Sequence, residues 1–167
     1  PCLNTTSFNI LVISIATMKT DSNEAALFFI YLSALRPQQW TKNLIVFAAP
    51  LFAFRIDLST IAASSLAFAL FCCASSSFYL LNDVIDIKAD RSHPVKRHRQ
   101  IASGLISTPI AVLIAVALLS TSLLVGSFYS RGLGISIILY ALLQIAYNLK
   151  LKHVVILDVF AIAGGFI

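Results

Sequence analysis

Charged residues are scarce in this chain. Only 11% of the 167 residues are Asp, Glu, Lys or Arg, whereas 59% are hydrophobic, and the mean hydropathy is +0.90. These values exclude an ordinary soluble domain and indicate an integral membrane protein. The net charge of +5 does not indicate a nucleic-acid partner, because the basic residues flank apolar segments instead of clustering in a soluble domain.

Recognisable zinc and disulfide patterns are also missing. The three cysteines and three histidines are Cys2, Cys72, Cys73, His93, His98 and His153. They form no C-x-x-C or Cys/His spacing, which excludes a recognisable zinc site or disulfide framework. The adjacent pair Cys72 and Cys73 lies in an apolar segment, where we expect both to be small buried hydrophobes.

Several segments are long and nearly free of charge. A helix needs roughly 20 mainly apolar residues to cross a bilayer. Five segments are candidates: Leu58–Leu81, Leu105–Ser130, Gly132–Leu149, the region Pro37–Phe54 interrupted by Lys42, and a run that begins near Val154 and continues to Ile167. The expected fold class is therefore all-α, a polytopic transmembrane bundle.

The ends of the chain carry separate expectations. Residues 1–26 are predicted to form a tail, a candidate for disorder, with none of the features of a secretory signal. A short helix over Asp21–Leu35 would offer an apolar surface to the membrane interface. Residues 27–167 are predicted to form a transmembrane domain truncated at its C-terminus, and we expect the chain to be inactive alone.

The basic residues indicate an orientation. Nine of them would lie on one side of the membrane: Arg36, Lys42, Lys88, Arg91, Lys96, Arg97, Arg99, Lys150 and Lys152. The other side would receive only Arg55 and Arg131. Since basic loops favour the cytoplasm, the larger group is predicted to lie on the cytoplasmic side of the plasma (inner) membrane. Such loops are ordinarily topology signals or contacts to anionic membrane lipids.

Acidic residues are the rarest charged group, and three of the seven lie together. Asp83, Asp86 and Asp90 follow the uncharged run, with spacings of three and four. On a continuous helix they would share one face, where they would repel one another without a cation. Their oxygens suit Mg²⁺, which bridges carboxylates to phosphate oxygens. A lone Asp is usually a solvated cap, but three in register beside a membrane helix favour a metal–diphosphate site.

Two further polar groups would lie on the same membrane face. The loop after the aspartates contains Arg91, Lys96, Arg97 and Arg99, whose cations suit phosphate groups. The second group consists of Tyr147, Asn148, Lys150, Lys152, His153 and Asp158. Its lysines alone are typical flanking anchors, whereas a carboxylate in an apolar span is costly. Asp158 is therefore a candidate to complete the metal site.

These motifs resemble a known family. The pattern N-D-x-x-D-x-x-x-D over Asn82–Asp90 resembles the UbiA superfamily of intramembrane prenyltransferases. Three stretches resemble its decaprenyl-phosphate phosphoribosyltransferase branch: Leu35–Pro50, Asn82–Gly104 and Tyr147–His153. The resemblance covers roughly Leu27–Ile167. Gln100 departs from it, because that branch usually has Pro there.

The resemblance implies a fold and a reaction. The fold would be an all-α bundle of about nine transmembrane helices, each of roughly 20 residues, of which this chain holds about five. The reaction would transfer 5-phosphoribose from phosphoribosyl diphosphate (PRPP) to a polyprenyl (decaprenyl) phosphate, with Mg²⁺ as cofactor.

The resemblance also implies residue roles. The metal ligands would be Asp83, Asp86, Asp90 and Asp158. The substrate-binding residues would be Lys42, Asn82, Arg91, Lys96, Arg97, Arg99, Tyr147 and Lys150. Asp83, Asp86 and Lys150 would be catalytic.

Three other functions are compatible with the same residues. A UbiA-type prenyltransferase would hold an isoprenoid diphosphate at the aspartates and transfer the isoprenoid to an aromatic or other acceptor. That ligand leaves the dense cationic loop with less to bind, so the loop favours PRPP. A transporter or a lipid-anchored scaffold is disfavoured, because the spans are uninterrupted and the polar groups cluster at one face.

Overall fold

The computed structural model describes the backbone of residues 23–149 and the side chains of residues 27–148. Within that range every regular element is helical, which confirms the all-α prediction there. The α-helices are α1 (Asn23–Ala34), α2 (Ala48–Phe52), α3 (Leu58–Ile85), α4 (Ile87–Ser92), α5 (Thr108–Tyr129) and α6 (Arg131–Leu149). Two 3-10 helices span Pro37–Phe47 and Lys96–His98. The predictions for the tail and for the span from Val154 lie largely or wholly outside the described residues.

Two of the described helices, α3 and α5, are long and apolar enough to cross a membrane. Both confirm predicted spans, although α3 runs beyond Leu81 and so includes Asn82 and Asp83. The predicted segment Gly132–Leu149 does form a helix, α6. In the described part of the chain, only α3 and α5 meet the length and composition required for a span. Whether α6 crosses the membrane therefore stays a prediction.

The prediction of a membrane-spanning helix over Pro37–Phe54 is wrong. This segment forms the 3-10 helix Pro37–Phe47 followed by the short α2. Side chains three residues apart eclipse in a 3-10 helix, so Trp40 and Asn43 share a face. Trp40 Nε1 donates to Ser76 Oγ at 3.0 Å, and Asn43 Nδ2 donates to Ser75 Oγ at 3.3 Å. Hydrogen bonds to α3 therefore fix this segment as a partner of that helix.

Asp57 explains where α3 begins. It is the N-cap, and its carboxylate accepts hydrogen bonds from the backbone N–H and the hydroxyl of Thr60, at 3.1 and 2.7 Å, and from the Ser59 hydroxyl. The bond from the Thr60 backbone satisfies a free N–H of the first turn. The Ser59 and Thr60 hydroxyls, followed by the Thr60 backbone N–H, lower the pKa of Asp57 to about 2.

The chain divides into two compact units, one ending at Ser122 and the other beginning at Leu123. The core of the first unit joins α1, α3, the loop after the second 3-10 helix, and the start of α5. Its buried residues are Ile30, Ala34, Leu80, Ile101, Ile106, Ala111 and Ala115. Helix α1 therefore packs one face into protein, while Leu27 and Phe28 stay exposed. The predicted helix is confirmed, and its location at the membrane interface stays a prediction.

The second unit contains the turn between α5 and α6. Only Ser130 separates the two helices. A Cβ at Gly134 would lie 2.6 Å from Ser127 Oγ and 2.9 Å from Ser127 Cα. Only glycine allows the two backbones to approach so closely.

Candidate active site

The site is built at the end of α3, where the acidic residues lie. Helix α3 ends at Ile85, and Asp86, with φ −87° and ψ 6°, separates it from α4. The Asp86 N–H donates to Asn82 O at 2.9 Å, and the Asp90 N–H donates to Asp86 O at 2.8 Å. This junction leaves Asp83 and Asp90 buried, with 5% and 2% of their surfaces exposed, whereas Asp86 is half-buried.

One arginine joins the two buried carboxylates. Arg99 Nη1 donates to Asp83 Oδ1 at 3.1 Å and to Asp90 Oδ2 at 2.7 Å. Charge-assisted hydrogen bonds of this length are among the stronger ones in proteins. A buried carboxylate is costly without such a partner. The sequence predicts that Arg99 binds a phosphate group, whereas in the structure Arg99 pairs with the two aspartates.

A second arginine, Arg36, completes the cluster, although its place in the sequence indicates only a role in membrane orientation. Arg36 Nη2 lies 2.6 Å from Asp83 Oδ1, and its guanidinium lies over the Tyr79 ring, 5.1 Å from the centroid. Arg36 has left-handed backbone angles, φ 54° and ψ 59°, which cost an L-residue roughly 1–2 kcal/mol. The one sign of this contact in the sequence is that Arg36 and Asp83 are predicted to lie on the same membrane face.

The loop that carries Arg99 is held at its base. Gln100 is buried, and its Nε2 donates to Ser33 Oγ at 2.6 Å, while its carbonyl accepts from Ile106 N at 3.0 Å. Arg91 Nε donates to Ala102 O at 3.0 Å. Gln100 is the position at which this chain differs from the branch that it resembles. Its side chain attaches the loop to α1, one residue after Arg99.

The other predicted cations lie at the surface. Lys96 and Arg97 are exposed in the second 3-10 helix, and Lys42 is exposed in the first. His93 Nδ1 accepts from the backbone N–H groups of Val95 and Lys96 at 3.2 and 3.3 Å. His93 thus shapes the turn that presents Lys96 and Arg97 to solvent.

The remaining predicted residues are distributed differently. Asn82 is half-buried at the end of α3, and Tyr147 is half-buried in α6, which belongs to the second unit. Lys150 and Asp158 lie outside the described residues. Of the predicted site residues, the structure joins Asp83, Asp90 and Arg99 directly and adds Arg36.

The fit to a divalent metal rests on two carboxylates. Among the side chains of residues 27–148, no three His, Cys, Asp or Glu are arranged to hold a metal. Mg²⁺, however, is usually bound through one or two carboxylates together with phosphate oxygens. Asp83 and Asp90, both within hydrogen-bond distance of one nitrogen, supply that donor set.

Comparison with known proteins decides the family. Residues 43–167 match the UbiA prenyltransferase family. The chain belongs to this family. UbiA proteins are integral membrane helical bundles, in agreement with α3 and α5. Arg36, which holds Asp83, lies upstream of the matched residues.

Three individual proteins are similar to most of this chain, and two of them carry the name of the branch that the sequence resembles. The chain is 42% identical to the decaprenyl-phosphate phosphoribosyltransferase of Mycolicibacterium smegmatis over 141 residues, which are 81% of this chain and 44% of that protein. It is 38% identical to the protein of the same name from Corynebacterium glutamicum, covering 81% and 42%. It is 32% identical to nodulation protein NoeC of Azorhizobium caulinodans, covering 82% and 45%. The chain thus spans less than half the length of these relatives.

Proposed function

We propose that this chain forms the diphosphate-binding part of a transferase that moves 5-phosphoribose from PRPP to a polyprenyl phosphate and releases diphosphate. The observation that carries the proposal is the buried pair Asp83 and Asp90, joined by Arg99 at the end of a membrane helix. The names of the M. smegmatis and C. glutamicum relatives supply the substrate class.

A divalent metal, proposed to be Mg²⁺, would be held by Asp83 and Asp90. Asp86, Asn82 and Asp158 are the other proposed contributors. When bound, the metal would neutralise the charge that develops on the leaving diphosphate. Burial of the two carboxylates supports this role, because electrostatic stabilisation is stronger where water is excluded.

The cationic loop would bind the remaining phosphate groups. Lys96 and Arg97 are exposed, and they lie a few positions after Asp90 in the sequence. Both belong to the turn that His93 shapes. PRPP carries both a diphosphate and a 5-phosphate, so one ligand can engage the aspartates and the loop together. Lys42, Arg91, Tyr147 and Lys150 are the other proposed substrate-binding residues, with Arg91 also holding the loop through Ala102 O.

The chemical step requires positioning more than proton transfer. A polyprenyl phosphate is already an anionic nucleophile, so the proposal needs no general base. The protein would orient this phosphate against the anomeric carbon and stabilise the leaving group. The proposed location is the cytoplasmic face of the plasma membrane, because the basic residues that flank the spans are concentrated on the side of the site.

The test uses membranes that contain the full-length protein, Mg²⁺ and PRPP labelled in its ribose. Polyprenyl phosphate is compared with no acceptor, and 4-hydroxybenzoate with an allylic diphosphate is assayed in parallel. Label that enters the lipid phase only with polyprenyl phosphate supports the proposal. Label that stays aqueous while the aromatic acid is prenylated would replace it with the prenyl-transfer reaction.

A further inference from the structure

The two carboxylates and two arginines of the site are balanced in charge. Asp83 and Asp90 carry two negative charges, and Arg36 and Arg99 carry two positive charges within 2.6 to 3.1 Å of them. A neutral cluster has little net attraction for a divalent cation. Any metal that uses these carboxylates must therefore compete with a cation that the protein itself supplies.

The competition is steric as well as electrostatic. Arg99 Nη1 lies between Asp83 Oδ1 and Asp90 Oδ2, where a metal bridging the same two oxygens would sit. A guanidinium and a metal cation that both contact these two oxygens would repel each other strongly in a partly buried site. The guanidinium and the metal therefore exclude each other at this position.

The surroundings indicate which arginine would leave. Arg36 contacts Asp83 but is also held over the Tyr79 ring and is followed by Pro37, which begins a helix anchored on α3. Arg99 follows directly after the exposed turn that contains Lys96 and Arg97. The two arginine side chains have similar exposed fractions, 24% for Arg36 and 22% for Arg99, so the anchoring of Arg36 is what distinguishes them. Arg99 is thus the cation that we expect to move toward a ligand in solvent.

We propose that Arg99 is an exchangeable counter-ion, which a divalent metal bound to diphosphate displaces from Asp83 and Asp90. The released guanidinium then binds the diphosphate, since planar guanidinium groups match phosphate oxygens well. Arg36 stays on Asp83 and keeps that carboxylate oriented. This inference rests on the proposed function, because it assigns the order in which the proposed ligands occupy the same site. It predicts that the metal alone binds weakly and that diphosphate strengthens its binding.

The test measures Mn²⁺ binding to the full-length protein in nanodiscs by the loss of the free-ion EPR signal, without any turnover. Arg99→Gln is compared with Arg55→Gln, which removes the same charge from an exposed side chain outside the proposed site. Without diphosphate, Arg99→Gln is expected to bind Mn²⁺ about tenfold more tightly than wild type, a change of about 1.4 kcal/mol. Arg55→Gln is expected to stay within about twofold of wild type. Inorganic diphosphate should strengthen Mn²⁺ binding more in wild type than in Arg99→Gln.

The outcomes separate this inference from the proposed function. Equal Mn²⁺ affinity in the two variants, or weaker binding in Arg99→Gln, would overturn the exchange. The proposed phosphoribosyl transfer would be unaffected by that result, because the assay with labelled PRPP tests it separately. Absence of Mn²⁺ binding in every protein, with and without diphosphate, would overturn both. If Arg99→Gln does not fold, Arg99→Met replaces it, because methionine also removes the charge and has an unbranched, adaptable side chain. Binding at least threefold tighter than wild type supports the exchange there, and unchanged binding contradicts it.

Discussion

Arg36 and Asp83 lie 47 positions apart in the chain, yet Arg36 Nη2 is 2.6 Å from Asp83 Oδ1. This contact connects the start of the first 3-10 helix to the end of α3. Arg36 makes this contact from a left-handed backbone conformation that few L-residues adopt. The ion pair therefore couples the local backbone of one segment to the carboxylate of another.

Arg36→Met tests what this pair contributes to stability. The change leaves Asp83 with Arg99 as its cationic partner, so we expect a loss of about 1.5–3 kcal/mol, typical of a hydrogen bond to a charged group. Arg36→Lys should recover part of it. Thermal unfolding in detergent measures the difference. Arg55→Met is the control, because Arg55 is exposed and its backbone N–H supplies its bond to Pro50 O; an equal loss in both variants would contradict the assignment.

The contact of Trp40 with Ser76 is a second stability determinant. Ser76 Oγ accepts from Trp40 Nε1 at 3.0 Å and donates to Leu35 O at 2.8 Å. Ser76→Ala removes both bonds, so it should cost more than Trp40→Phe, which removes one and should cost about 1 kcal/mol. A double-mutant cycle should give a coupling energy of about 1 kcal/mol. Additive effects of the two changes would show that this hydrogen bond does not hold the segment on α3.

Asp57 gives a prediction for acid conditions. Its pKa, lowered to about 2, lies below the value of about 3.9 expected for an unfolded chain. The stabilisation from its charge is therefore present above pH 4 and is lost as the pH falls toward 2. Asp57→Asn keeps a capping side chain without the charge. We expect wild type to lose its advantage in melting temperature over this variant across that pH range, and a constant difference would argue against the lowered pKa.

The polar site was partly readable from the sequence for a simple reason. Acidic residues are so rare in this chain that Asp83 and Asp90 stand out beside an apolar run, and Arg99 follows closely. Arg36 was missed as a partner because an isolated arginine before a proline has no local sign of a contact 47 positions away. The predicted roles of Lys150 and Asp158 remain predictions.

For the fold too, features of one continuous segment were predictable from the sequence and contacts between distant segments were not. Hydropathy located α3 and α5 because burial in a membrane depends on composition along one continuous segment. It failed over Pro37–Phe54, where the deciding interactions are hydrogen bonds from Trp40 and Asn43 to serines on another helix. The hydropathy of one segment contains no information about hydrogen-bond partners on a distant helix.

The most direct test of the proposed active site compares Asp83→Asn with Asp57→Asn. Both changes remove one charge from an aspartate at an end of α3, but only Asp83 belongs to the arginine-bridged pair. Removing one preorganised electrostatic group commonly lowers turnover by about 100- to 1,000-fold. Transfer of labelled phosphoribose to polyprenyl phosphate should fall by that factor in Asp83→Asn, with the protein still folded, and remain near wild type in Asp57→Asn. Wild-type transfer by a folded Asp83→Asn protein would contradict the account.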